Sequence, residues 1–272
     1  MEPGQGSVLT KERLDRLIVD GGLARSRSVA QRLIMAGQVL VDGQMVDKSG
    51  TRVPTTSRIT LKSRPRFVSR GGEKLAGALT RFPIDVSGRV TADIGASTGG
   101  FTDCLLQNGA AKVYAIDVGY GQLAWQLRQD DRVVVIERTN ARYLTELAET
   151  VDLIVSDVSF ISLRLVYATA VGWLAYGGEV VSLIKPQFEA GPENVRKGGV
   201  VRDPDVHREV LAAVTASMAA LGLGLRGLMV SPLKGPAGNV EFLGWWQLGA
   251  DAVTPDPWIR SAMAEAAALQ IG

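Results

Sequence analysis

From residue 90 onward the chain alternates short apolar runs with helical stretches, and this rhythm constrains its fold more than any other feature. Residues 90–94, 113–118, 133–136, 153–156 and 180–184 read as strands. Residues 101–107, 163–174 and 206–221 read as helices between them. Residues 224–230 and 240–247 read as a closing strand pair, the last strand running antiparallel. Such alternation predicts an α/β body with an open, mostly parallel sheet and helices on both faces. Ligands of these sheets bind outside the carboxyl ends of the strands, so polar residues at those ends carry the functional information.

The loop after the first strand is DIGASTGGFTD, residues 93–103. Gly95, Gly99 and Gly100 let the backbone turn tightly and approach a ligand closely, with Ala96, Ser97, Thr98 and Phe101 as their neighbours. No Gly-Lys-Ser/Thr follows, which excludes a Walker loop, and the G-x-G-x-x-G dinucleotide spacing is absent. Asp117 ends the next strand, where a carboxylate can accept both ribose hydroxyls of an adenosine ligand. S-adenosylmethionine and NAD compete for such a site. Asp93 favours S-adenosylmethionine, whose amino group and sulfonium are cationic where NAD presents pyrophosphate. Asn140 and Arg142 follow the third strand and either border the adenine or support the loop.

Four charged residues fall at the same edge. Asp157 ends the fourth strand and Lys185 the fifth. Glu241 opens the last strand, which starts at the carboxyl edge if it runs antiparallel. Lys74 comes from a helix expected over residues 73–82. Ordinary surface salt bridges explain any one of them less economically than a shared site explains all four.

The region before this body has a different character. The net charge of the whole chain is only +2, but residues 1–74 carry 14 Lys/Arg against 7 Asp/Glu, and the remainder 16 against 21. Residues 11–22 and 23–37 read as two short helices, with Ser28 a plausible N-cap of the second and Gly37 at its end. Asp42-Gly43 marks a hairpin and residues 58–61 a further strand. Arg25, Arg27 and Arg32 cluster around the start of the second helix, where free N–H groups and positive charge suit phosphate, unless they only solvate a face. Aromatic residues are scarce here, so backbone and shape recognition of folded RNA fits better than base stacking. Arg13, and Arg66 and Arg70 from the following segment, complete the candidate RNA contacts. We divide the chain into residues 1–63, a linker over 64–72 broken by Pro65, and residues 73–272.

Cys104 is the single cysteine, which excludes an intrachain disulfide framework and any multi-cysteine metal site; no metal is expected. It reads as a buried packing thiol. The one histidine, His207, reads as a surface or capping residue, and Trp245 and Trp246 as core. The first residues, MEPGQGSVLTKERLD, hold no apolar run of signal-peptide length, and residues 165–178 are too short for a bilayer span. A cytoplasmic protein without membrane association is expected.

Two resemblances follow from longer motifs. GLARSRSVAQRLIMAGQVLVDG, within residues 8–63, resembles the S-four domain, a small α+β fold that implies RNA binding without catalysis. The body is similar to the FtsJ-like 2′-O-ribose methyltransferases, marked by a Lys-Asp-Lys-Glu tetrad that Lys74, Asp157, Lys185 and Glu241 match here. With SRGGEKL, DIGASTGGFTD, DVGYGQLAW, RTNAR, SDVSFISL, KPQFE, GGVVRD and GNVEF, the arrangement resembles the TlyA family over nearly the whole chain. That resemblance implies a Rossmann-like class I methyltransferase behind an S-four domain. It implies S-adenosylmethionine as cofactor, held by the loop residues Asp93 to Phe101 with Asp117, Asn140 and Asp157. It also implies ribosomal RNA or ribosomal subunits as partner, methylated at the 2′-OH of cytidine in the large subunit or in both. The family also carries the name haemolysin.

A ribose 2′-OH is a poor nucleophile at neutral pH, so positioning and removal or polarisation of its proton must supply the rate. Lys185 is the expected base or oxygen-activating group, Asp157 and Glu241 hold it, and Lys74 stabilises developing charge. The alternatives are an RNA-binding protein of the same fold without catalysis, a haemolysin, and an S-four pseudouridine synthase. The last would leave the Gly loop and tetrad unexplained. The α/β alternation builds no lipid-facing barrel.

Overall fold

The computed structural model describes residues 10–62, 65–195, 198–251 and 253–271. The expectations on residues 1–9 and on Ser63 and Arg64 of the linker lie outside the described residues. The chain divides into two compact units, Met1–Pro65 and Arg66–Gly272.

In the first unit, β1 (Lys11–Arg13) leads into α1 (Leu14–Asp20), followed by α2 (Arg27–Met35), β2 (Val39–Val41), β3 (Gln44–Met45), β4 (Arg52–Pro54) and β5 (Ile59–Leu61). Residues 11–13 were expected in the first helix; they pair antiparallel with β4 instead. The cap of α2 is Ser26, not Ser28: its extended backbone lets Oγ accept from Val29 N–H at 3.4 Å. Asp42 takes positive φ in the β2–β3 turn, and β5 pairs with β2. Leu14, Ile18, Ala30, Ile34, Val39, Val41 and Val53 form the core. Beside it Asp15 is fully buried, accepting from Arg13 Nε (3.0 Å) and Nη2 (2.8 Å), Arg27 Nε (3.1 Å) and Gln31 Nε2 (2.8 Å). The Arg13 guanidinium holds this carboxyl well below the usual carboxylate range, against the opposing effect of burial.

The second unit opens with α3 (Gly71–Arg81) and β6 (Val90–Ile94). There follow α4 (Gly100–Gln107), β7 (Lys112–Ile116), α5 (Trp125–Arg128), β8 (Val133–Ile136) and β9 (Val151–Ser156). The remainder is α6 (Leu163–Ala170), β10 (Leu174–Ile184), α7 (Pro186–Glu189), α8 (Pro204–Ala219), β11 (Leu223–Val230), β12 (Phe242–Leu248) and α9 (Asp256–Ile271). The seven strands form one sheet in the order β11-β12-β10-β9-β6-β7-β8. The strands from β10 to β8 pair parallel, and β12 runs antiparallel between β10 and β11. The central strands are apolar along their length because both faces are covered. One face packs on α6, α8 and α9, the other on α3, α4 and α5.

Several expectations shift here. Helix α6 stops at Ala170, and Leu174 already pairs with Val151, so the apolar run over 165–178 is a helix end plus the start of β10. Residues 66–72, read as linker, belong to the second unit. Phe67 is 3% exposed, Val68 N–H donates to Asp103 Oδ2 at 2.8 Å, and α3 starts at Gly71. A Cβ on Gly72 would stand 2.2 Å from the Phe67 ring, so this helix start needs glycine to seat that ring. His207 is buried rather than on the surface: its Nε2 lies 3.1 Å from the Val201 carbonyl and its ring meets Phe242 edge-on. Burial lowers its proton affinity. Cys104 is buried, and desolvation pushes its thiol up to about 12, which leaves it unreactive.

Candidate active site

Parallel pairing aligns the ends of the central strands, and the antiparallel β12 brings its beginning to them. Ser156 pairs with Ile94 and Ser182, and Ile184 pairs with Phe242. Asp157, Lys185 and Glu241 therefore leave the sheet along one edge, and α3 delivers Lys74 to the same place. Their side chains form two ion pairs. Lys74 Nζ lies 2.6 Å from Glu241 Oε2, with side chains 9% and 1% exposed. Lys185 Nζ lies 2.6 Å from Asp157 Oδ1 and donates to Ser159 Oγ at 2.9 Å. Gln187 Nε2 reaches the other Glu241 oxygen at 3.4 Å. The expectation that Asp157 and Glu241 both hold Lys185 is thus divided: Asp157 holds Lys185, and Glu241 holds Lys74.

Three cavities meet at this cluster. The first, about 800 Å³, runs from Asp117, Gln122, Asn140 and Arg142 past Gly95 and Ser97 to Asp157. The second, about 980 Å³, contains Lys74, Lys185, Gln187, Phe188 and Glu241. The third, about 200 Å³, lies between Ser69 and Gly71 on one side and Gly95 to Thr98, Gly100 and Phe101 on the other. Asp157 and Ser159 line all three.

The loop between β6 and α4 is shaped by its neighbours. A Cβ on Gly95, at φ +84°, would stand 2.8 Å from the Asp157 carbonyl oxygen. Only glycine lets the two strand ends come this close. Gly99 lines none of the three cavities; its missing side chain makes room for Leu123 and Leu127. Asp117 accepts Ser97 N–H at 2.7 Å on one oxygen and Gly119 N–H at 2.6 Å on the other, which fixes its carboxylate toward the first cavity. Asn140 uses its side-chain oxygen to cap Arg142 N–H at 3.1 Å while lining the same cavity, so it both supports the loop and borders the space.

Asp93 lines none of the cavities. It is fully buried, accepts Thr102 N–H (2.9 Å) and Oγ1–H (2.7 Å) on Oδ2, and has no partner for Oδ1 among the described residues. Desolvation pushes its carboxyl up to about 7, with the negative charges of Asp157 and Asp117 adding to the effect and Thr102 opposing it.

The RNA-contact candidates separate into groups. Arg13 and Arg27 are tied to Asp15, whereas Arg25 and Arg32 are exposed and make no ion pair among the described residues. Arg66 and Arg70 are exposed in the second unit, Arg66 over the Phe67 ring. Ser69, Ser159, Phe160, Gln187 and Phe188 at the cavities carry no assignment from the sequence. Phe160 is 90% exposed at φ +62°, beside Phe188 at a centroid distance of 4.8 Å. Ser159 and Phe160 lie in the loop beyond the end of β9, where no apolar periodicity marks them.

Comparison with known proteins decides the family. The profile of the FtsJ-like methyltransferases matches residues 67–248, and that of the S4 domain residues 12–59. The 16S/23S rRNA (cytidine-2′-O)-methyltransferase TlyA of Mycobacterium tuberculosis is 49% identical over 89% of this chain and 91% of its own. The chain belongs to the TlyA family of FtsJ-like methyltransferases. A Bacillus subtilis relative, YqxC, described as a candidate rRNA methyltransferase, is 52% identical over 86% of this chain and 84% of its own. A solved structure from Streptococcus thermophilus, described as a candidate hemolysin, superposes with a TM-score of 0.72. It is 41% identical and covers 97% of this chain and all of its own. The FtsJ-like body is thus the Rossmann-like methyltransferase fold, and the smaller unit is an S4 domain.

Proposed function

We propose that this protein transfers a methyl group from S-adenosylmethionine to the ribose 2′-OH of cytidine in ribosomal RNA, acting in the cytoplasm. The observation that carries the proposal is the meeting of a ribose-ready cavity and a two-lysine, two-carboxylate cluster at Asp157. The resemblance to the M. tuberculosis enzyme names the substrate.

The residues present fit the cofactor. Asp117, aimed by two backbone N–H groups, is suited to ribose hydroxyls, and Asn140 and Val118 border the space for a base. Ser97, Thr98 and Ser69 line the small cavity between the starts of α3 and α4, a polar setting for a carboxylate and an ammonium. Asp117 and Asp157 line the adjoining cavity with carboxylates, which favours a cation. When bound, S-adenosylmethionine supplies an electrophilic methyl group on a sulfonium.

The chain's own residues do the rest. Lys185, with Asp157 accepting one of its N–H groups, takes or polarises the hydroxyl proton. Lys74 brings a second positive charge to the same cavity, offset by Glu241, and steadies negative charge developing on the 2′-oxygen. The exposed Phe160 and its neighbour Phe188 give a nucleotide base an aromatic wall. The S4 domain, through Arg25 and Arg32, supplies phosphate contacts. Lys185→Ala is expected to abolish methyl transfer to rRNA while the affinity for S-adenosylmethionine, read by calorimetry, stays within about twofold. Substantial residual transfer contradicts the assignment.

A further inference from the structure

We infer that Ser159 is a positioning residue that sets the direction in which the Lys185 amine meets the substrate hydroxyl. The inference deepens the methyltransferase reading and rests on it. Neither the strand-end pattern nor the four-residue tetrad includes Ser159.

The first observation is the inventory of donors on Nζ. Its hydrogen-bond acceptors are Asp157 Oδ1 at 2.6 Å and Ser159 Oγ at 2.9 Å. A neutral amine has two N–H groups and one lone pair. If both N–H groups are taken by these acceptors, the lone pair is left for the remaining direction, and Lys185 lines the second and third cavities. In the protonated amine the third N–H occupies that direction. With Asp157 alone as acceptor, the amine is free to rotate about its last side-chain bond and turn the lone pair away from the substrate. Ser159 removes that freedom.

The second observation is where Ser159 stands. It shares with Asp157 the junction of the three cavities, where the methyl-donor space and the nucleotide space meet. Ser159 is exposed rather than enclosed in the core.

The third observation is that the Lys185–Ser159 contact is braced from outside. The loop carrying Ser159 is anchored at its start, where Asp157 N–H donates to the Ile94 carbonyl at 3.1 Å. Its end is anchored by Glu189, which accepts Ser162 Oγ–H at 2.7 Å and Leu163 N–H at 2.8 Å. Glu189 ends the same short helix that follows Lys185, and Phe188 in that helix packs on Phe160. The two segments therefore hold each other in register on both sides of the amine. A hydroxyl placed this firmly beside a reacting amine works by orientation, for which a loss of about tenfold or more is the expected scale.

The test compares wild type, Ser159→Ala, Ser159→Thr and Lys185→Ala in the full chain. Each is assayed with unmethylated ribosomal RNA and radiolabelled S-adenosylmethionine. Ser159→Ala is expected to lower kcat about tenfold or more, with KM for both substrates within about twofold, and Ser159→Thr to recover most of the loss. An unchanged kcat, a loss confined to KM, or a threonine variant no better than alanine overturns the inference. So does a faster alanine variant, which would mean that the hydroxyl donates to the amine and masks its lone pair. An inactive Lys185→Ala beside a full-rate Ser159→Ala removes this inference alone. A Lys185→Ala variant as fast as wild type, or a wild type that transfers no methyl, removes the methyltransferase reading and this inference with it.

Discussion

Asp93 is a carboxylate sealed under the loop it was expected to share with a ligand, and its energetics are testable on their own. Its folded-state value, about 7, lies above the ordinary carboxylate value of 3.8. An acid shifted this way is tolerated best when protonated. The folded state therefore loses stability as pH rises from about 4 to about 7, and the loss is constant above that. Asp157 and Asp117 are the charges that face it, with Thr102 as hydrogen-bond donor. Asp93→Asn keeps an acceptor for Thr102 without the charge. Unfolding midpoints of the two proteins should diverge between pH 5 and pH 7, the asparagine variant becoming the relatively more stable; a gap independent of pH contradicts the account. Asp15 has the opposite shift, held low by Arg13, so it stabilises above the ordinary carboxylate range. Asp15→Ala should lower the melting temperature of the S4 domain by several degrees at pH 7, the order expected when a buried hydrogen-bond cluster is lost from a small domain. No change in the calorimetric transition would contradict this. Neither carboxylate's surroundings were legible in the sequence. Asp93 stood at a strand end like the true edge residues, and nothing in the local sequence marks Asp15 as buried.

At the scale of elements, the loop between β6 and α4 and the loop after β9 are built against each other. Gly95→Ala adds a Cβ 2.8 Å from the Asp157 carbonyl at a φ that side chains rarely adopt. It should cost about 1–3 kcal/mol in denaturant unfolding and weaken S-adenosylmethionine binding. An alanine variant of wild-type stability would show that the strand ends have room to separate. The strands and the edge residues were readable in advance because apolar runs both define a buried strand and expose the polar residue that ends it. Lys185 and Asp157 stood out for that reason. The pairing did not: Lys74 and Glu241 are 167 residues apart, and only the crossing of α3 over the sheet joins them. Ser159 was hidden because a serine in a loop carries no periodic signal. His207 was misplaced because a helix start is usually exposed, whereas here Val201 and Phe242 enclose the ring.

At the scale of the whole molecule, the charge division retains its meaning. Residues 1–74 carry a net +7 within a chain whose total is +2. Within that stretch the first unit, residues 1–65, carries 11 Lys/Arg against 6 Asp/Glu, a basic balance suited to a polyanion. Arg25→Glu with Arg32→Glu, in the full chain, should weaken rRNA binding uniformly across sequences and reduce the slope of log affinity against log salt by roughly 2. Binding of S-adenosylmethionine should be unaffected; an unchanged salt slope would contradict the role given to these arginines. The central claim concerns chemistry at one atom, and one measurement addresses it most directly. Unmethylated ribosomal RNA is incubated with the protein and labelled S-adenosylmethionine, digested to nucleosides and analysed by mass spectrometry. The account predicts that the label appears as 2′-O-methylcytidine, and that none appears with Lys185→Ala. Label on a base, on another ribose, or on nothing at all would contradict it.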